Sequence, residues 1–133
     1  MTNEELELIK ATQEIIKRMA DNSSKTKTVF LAITTAIITL LNSDSFIGIN
    51  IALLIYLSMT ISLWFTDAKY LQLEQLFRKH HNAIIKRELA LSKLWEFNLG
   101  RYHVETVCII MFKNFTMLIY WVASLSTIFL IIY

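Results

Sequence analysis

The chain has 133 residues, 55% of them apolar, with no proline, two glycines and a formal net charge of +2. So few breakers and so much apolar content predict one almost entirely helical domain, with the apolar residues in blocks as in an integral membrane protein. The single cysteine, Cys108, excludes an intrachain disulfide and a four-cysteine zinc site, and reads first as a small buried apolar thiol, with palmitoylation or redox sensing as the alternatives.

The start, MTNEELELIK, is acidic and no hydrophobic block follows until about Val29. A cleavable secretory signal needs a basic start and an early apolar run, so the first span is expected to act as its own insertion signal. Residues 1–24 are predicted to form a cytosolic amphipathic helix. At 100° per residue Leu8, Ile9, Thr12, Ile15, Ile16 and Met19 fall in one arc, with Glu7, Lys10, Glu14, Lys17 and Arg18 largely outside it. That arc can pack on the chain's own polar helix, on a neighbouring subunit or on the membrane surface; its mixed charge argues against the last. Asp21-Asn22-Ser23-Ser24 offers turn and N-cap chemistry before the apolar residues begin.

Residues 25–66 are predicted to form a transmembrane hairpin. The first span, from about Lys27 to Asn42, is slightly short at roughly 25 Å of helix, so Lys25 and Lys27 are expected to snorkel. Asn42-Ser43-Asp44-Ser45 is a tight polar turn. Phe46 to Thr66 then runs without a charge and ends on Trp64-Phe65, which suits a bilayer crossing with an aromatic residue at headgroup depth. Residues 67–105 are predicted as a cytosolic helical region whose helix stops near Gly100. Residues 106–133 hold a last span, Phe115 to Tyr133, again without a charge. All Lys and Arg residues lie before the first span or between the second and third. That bias predicts a cytoplasmic N-terminus, three spans and an external C-terminus.

The fold expected is therefore all-α: an integral membrane protein of three transmembrane helices with a cytosolic helical layer. No catalytic arrangement is present, since there is no nucleophile elbow, phosphate-binding glycine loop or HExxH, and inside the flanking Lys27 no predicted span carries an Asp, Glu, Lys, Arg or His. An enzyme, a cofactor and a small-molecule substrate are not expected. His80 and His81 point about 100° apart on a helix and cannot share a metal from one face. Nucleic acid is disfavoured because Arg78, Lys79, Lys86, Arg87 and Lys93 are interleaved with Glu74, Glu88 and Glu96.

Three groups of residues are candidate sites. Asp67, Glu74 and Arg78 line up at heptad and i,i+4 spacing, as an ion-pair network where another helix docks or as a charged collar at the mouth of an assembly. On the first span Thr28, Thr35, Thr39 and Asn42 share one face, with Ser24 and Ala32. Ser58, Ser62 and Thr66 repeat on the second span, and Thr116, Tyr120, Ala123 and Thr127 on the third. Such stripes let helices pack closely or line a pore. Leu73, Leu76, Phe77 and Ile84, with Leu91 and Leu94, are more apolar surface than the N-terminal helix can cover, and are predicted contacts between copies.

Over 64–78 the chain resembles small bacterial inner-membrane proteins whose second span runs into W-[FY]-x-D-A-x-Y-L-x-x-E-x-x-[FY]-R. Trp64, Phe65, Asp67, Ala68, Tyr70, Leu71, Glu74, Phe77 and Arg78 match it, and Ile110-Met111-Phe112-Lys113 entering a last span is similar too. Some of these proteins are identified as RipA-type octameric membrane proteins, and similar ones accompany antiphage systems. The resemblance implies homo-oligomerisation and a role in defence, and transfers no functional residue. Two functions fit the whole reading. One is an oligomeric effector that forms a pore or perturbs the bilayer; the other is a structural adaptor whose cytosolic helices hold a protein partner at the membrane.

Overall fold

A computed structural model of the chain describes residues 3–41, 49–86 and 99–132. Among the described residues all regular structure is helical. Helix α1 spans Asn3–Leu41 and α2 spans Ile49–Ile85. A 3-10 turn at Leu99–Arg101 precedes the short α3, Val107–Lys113. A second 3-10 turn at Phe115–Met117 leads into α4, Leu118–Ile132.

The 39 residues of α1 and the 37 of α2 make rods about 55–58 Å long. Each has a charged half and an apolar half, with no break between them. The turn expected at 21–24 does not form. Ser23 is buried and donates to Asp67 on α2 (2.5 Å), while Asn22 keeps its carbonyl in the helix, where it accepts from Thr26 Oγ1 (2.9 Å). Short polar side chains break helices by competing for their own backbone, and a partner on another helix removes that competition. The boundary placed between residues 24 and 25 therefore falls inside one helix, as does that between 66 and 67.

α1 and α2 pack antiparallel. Leu8 meets Ile84, Thr12 meets His81, and Ser23 and Lys27 both meet Asp67. The apolar arc of the N-terminal helix thus covers the chain's own α2, with Leu8 fully buried. α2 ends at Ile85, where the Lys86 amide closes a turn on the Asn82 carbonyl (3.0 Å). The stretch expected to continue as helix toward Gly100 lies, over 87–98, outside the described residues, and Gly100 itself sits in the first 3-10 turn. Leu91, Leu94, Asn42 and the polar turn at 42–45 lie outside the described residues.

The last apolar block, from Phe115, is set off from the helix before it by a sharp bend. Asn114 takes an extended backbone (φ −82°, ψ 124°), and α3 meets the 115–129 run at 78°. Beyond this elbow α4 lies beside α1 and antiparallel to α2. Tyr120 contacts Phe30 (ring centroids 4.5 Å) and stacks on Trp64 (6.1 Å), while further along Thr127 meets the Tyr56 hydroxyl at 3.4 Å. Phe30, Tyr56, Ala68, Val107, Ile110, Met117 and Tyr120 form the main core. Cys108 is exposed rather than buried, because Val107 and Ile110 supply the inward face of α3.

Ile51–Ile85 is long and apolar enough to cross a membrane, and only 22% of its most apolar eighteen-residue window is buried within the protomer. Val107–Lys113 with Phe115–Phe129 meets the same criteria only if the bent pair counts as one span. Large apolar side chains remain exposed on both, including Leu54, Ile61, Val122, Leu125 and Phe129.

Candidate functional site at the charge boundary

The charged and apolar halves of α1 and α2 meet at a buried ion pair. Asp67 is wholly buried on α2, where the uncharged run gives way to DAKYLQ. Ser23 and Lys27 stand one turn apart on the facing side of α1. Lys27 Nζ lies 2.8 Å from Asp67 Oδ2 and 3.0 Å from Oδ1, and also donates to Ser23 Oγ (2.7 Å). Lys27 is one-fifth exposed and Asp67 not at all, so the stem crosses apolar surface while the head is held inward. A carboxylate out of water is costly unless paired and hydrogen-bonded: Ser23 and Lys27 both donate to Oδ1, while Oδ2 is paired with Lys27 without a well-formed hydrogen bond. From α4 the buried Tyr120 hydroxyl approaches the same carboxylate, without a well-formed hydrogen bond of its own. Trp64 is one turn away, with its ring 5.3 Å from both Phe112 and Trp121. Three helices therefore converge on one charge.

The three-residue network expected on α2 is split. Glu74 and Arg78 pair with each other at 2.7 Å on α2, whereas Asp67 turns to α1. The hydroxyl stripe of α1 lies outside the protomer core. Thr28, Thr35 and Thr39 are exposed and donate to the carbonyls of Ser24, Leu31 and Thr35. The buried hydroxyls of α1 are Thr12, Ser23, Thr26 and Thr34, on a different face. Ser58, Ser62 and Thr66 are likewise exposed and bonded to their own helix, while Tyr120 and Thr127 are buried. Of the expected contacts between copies, Ile84 is covered within the protomer by Leu8 and Ile9, and Leu73, Leu76 and Phe77 are half-buried.

A second polar locus lies in the charged halves. Thr12 Oγ1 donates its single proton to the carbonyls of Leu8 and Ile9 (2.9 and 3.0 Å). Its 2.8 Å contact with His81 is then made with Nδ1–H donating. The adjacent His80 faces the other way, toward the Tyr102 hydroxyl (3.2 Å). Residues 102–106 run back along α2, held by Lys79 donating to the His103 carbonyl and Gln72 to the Glu105 carbonyl (3.0 Å). Burial, then the charges of Arg101 and His81, lower the His80 pKa below its usual value; burial and then Arg78 lower that of His81. Among the described residues no cluster of His, Cys, Asp and Glu could hold a metal ion.

Sequence reasoning missed Ser23 and Lys27 as partners of Asp67. The signal was present in their depth: in an antiparallel hairpin, a residue opening the first apolar run lies level with one closing the second. No protein-family model, curated protein or solved structure matches the chain.

Lys27→Met leaves a charged Asp67 buried alone and is expected to cost about 3–5 kcal/mol in unfolding measured in detergent micelles. Adding Asp67→Leu should recover most of that loss, because an apolar pair replaces a buried ionic one. A cost below about 1 kcal/mol for the single variant would mean that water reaches the carboxylate.

The histidines predict a pH dependence of definite sign. With folded-state pKa values below the ordinary 6.5, the unfolded chain binds more protons. Stability is thus complete above about pH 6.5 and declines as pH falls through the depressed values. The melting midpoint should drop between pH 7.5 and 5.5, and less so in a His80→Gln/His81→Gln variant.

Proposed function

We propose that the chain is a multi-span bacterial inner-membrane protein that assembles with copies of itself and acts as a pore-forming or membrane-perturbing effector. Its carrying observation is the uncovered apolar surface of α2 and α4: Leu54 is 71% exposed and Val122, Leu125 and Phe129 are each 62% exposed in one protomer. Lipid or further copies must cover it. The course of α4, beside α1 and antiparallel to α2, suits three alternating spans with the N-terminus inside. The charged halves then form the cytosolic layer, where the positive-inside rule puts the basic residues.

Exposure of Thr28, Thr35 and Thr39 favours assembly at that face. Each donates its proton to its own helix, so its oxygen remains an acceptor for a neighbouring copy or for water in a pore. The resemblance over Trp64–Arg78 adds oligomerisation and antiphage defence. An adaptor role is the second reading, favoured by the half-buried Leu73, Leu76 and Phe77, which a protein partner could cover as well as another copy.

Reconstitution into liposomes separates the two. Ion flux that Thr35→Val reduces is expected of the effector, and vesicles tight at every voltage would leave the adaptor. In a Cys108→Ser background, Asp44→Cys should label from outside the cell and Ala90→Cys should not. External labelling at position 90 would overturn the topology.

A further inference from the structure

A groove of about 390 Å³ lies between the charged halves of α1 and α2, lined by Gln13, Ile16, Lys17, Ala20, Arg78, His81 and Asn82. No lining residue is acidic, although Glu14, Asp21 and Glu74 stand on the same helices. Lys17 has no ion-pair partner among the described residues. Arg78 directs Nε and Nη2 to one oxygen of Glu74, at 2.8 and 2.7 Å, which leaves Nη1 for another acceptor. Gln13 and Asn82 add amide donors, and the contact with Thr12 holds the His81 ring in place. The Lys17 ammonium, the free edge of the Arg78 guanidinium and two amides around a concave space suit an oxyanion carrying several acceptors, and a guanidinium is the group best matched to phosphate. The volume falls within the range of small-ligand sites.

We propose that this groove binds a soluble phosphate-bearing ligand about the size of a nucleoside monophosphate. A lipid headgroup has the same chemistry, and distance decides against it. Lys17 and Arg78 lie about 16–18 Å along their helices from the apolar halves, whereas the headgroup layer is only about 5–8 Å deep on each side. The choice of a soluble source rests on the membrane reading above; the groove itself does not.

Calorimetry on the full chain in neutral detergent tests it, with adenosine monophosphate and inorganic phosphate as probes and adenosine as control. Saturable binding of both phosphates and none of adenosine is expected. Lys17→Gln and Arg78→Gln should each weaken binding about tenfold or more. Glu74→Gln should strengthen it by releasing the rest of the Arg78 fork. Both basic residues are exposed, so these variants should fold. Equal binding of adenosine, unchanged affinity in both basic variants, or an absence of binding at millimolar probe would overturn the proposal. So would full competition by phosphatidylserine vesicles, which would assign the site to a headgroup. Binding by a chain that is silent in liposomes would remove the effector reading and leave this one standing; flux without binding would do the reverse.

Discussion

The burial of Asp67 constrains the rest of the fold. A carboxylate with no exposed surface cannot stay ionised on apolar packing alone, so α1 must present Lys27 and Ser23 at one level and rotation. Once that contact is made, the remaining pairings of the two long helices follow: Thr12 reaches His81, and Leu8 reaches Ile84. A slip of one residue would turn Lys27 about 100° away and leave the charge unpaired. The ion pair contributes little net stability compared with apolar packing of the same volume. Its effect is on register, since every other alignment of the two helices is strongly penalised.

On either side of this contact the helices are held by different forces. In the charged halves water is excluded from a small apolar cluster around Leu8 and Ile84, and the surrounding bonds are side chain to side chain or side chain to backbone. Toward the apolar halves the contacts are aromatic and close, from Phe30 to Tyr120 to Trp64, each such pair adding about 0.5–1.5 kcal/mol beyond its burial. Further along, Thr127 bonds the Ala123 carbonyl of its own helix (2.8 Å) and meets the Tyr56 hydroxyl at 3.4 Å, so polar contact between α4 and α2 is sparse there.

Helix content was legible from the scarcity of breakers, the antiparallel hairpin from the few residues between two apolar runs, and the inward arc of the N-terminal helix from its periodicity. Leu8, Ile9 and Thr12 repeat with the helix and do face α2. The errors arose where tertiary contact overrode local preference. Asp21 to Ser24 reads as a turn until Asp67 is placed opposite Ser23. Thr28, Thr35 and Thr39 make a regular stripe, but the inward hydroxyls are Thr26 and Thr34, and the two faces differ only by a rotation that sequence spacing does not set. The expected last span begins at Phe115, directly after the elbow at Asn114, because Lys113 and Asn114 interrupt the apolar run there, but the 78° bend itself leaves no mark in the composition. His80 and His81 were correctly expected to diverge, whereas their partners Tyr102 and Thr12 lie in segments that periodicity cannot bring together.

Continuity of the long helices links the two halves mechanically. Neither α1 near Ser23 nor α2 near Asp67 contains a break, a glycine or a proline that could absorb a local change of angle. If a ligand drew Lys17 and Arg78 together, the change in helix separation would have to be carried past the ion pair into the apolar halves, or would have to open that pair. Opening it exposes or strands a buried charge, so small displacements are transmitted and large ones resisted. Tyr120 sits against the same carboxylate, and through it α4 is coupled to any movement of α1 against α2. The contacts of Asp67 with Ser23 and Lys27 on α1, and the approach of Tyr120 from α4, thus tie the position of all three helices to one buried carboxylate.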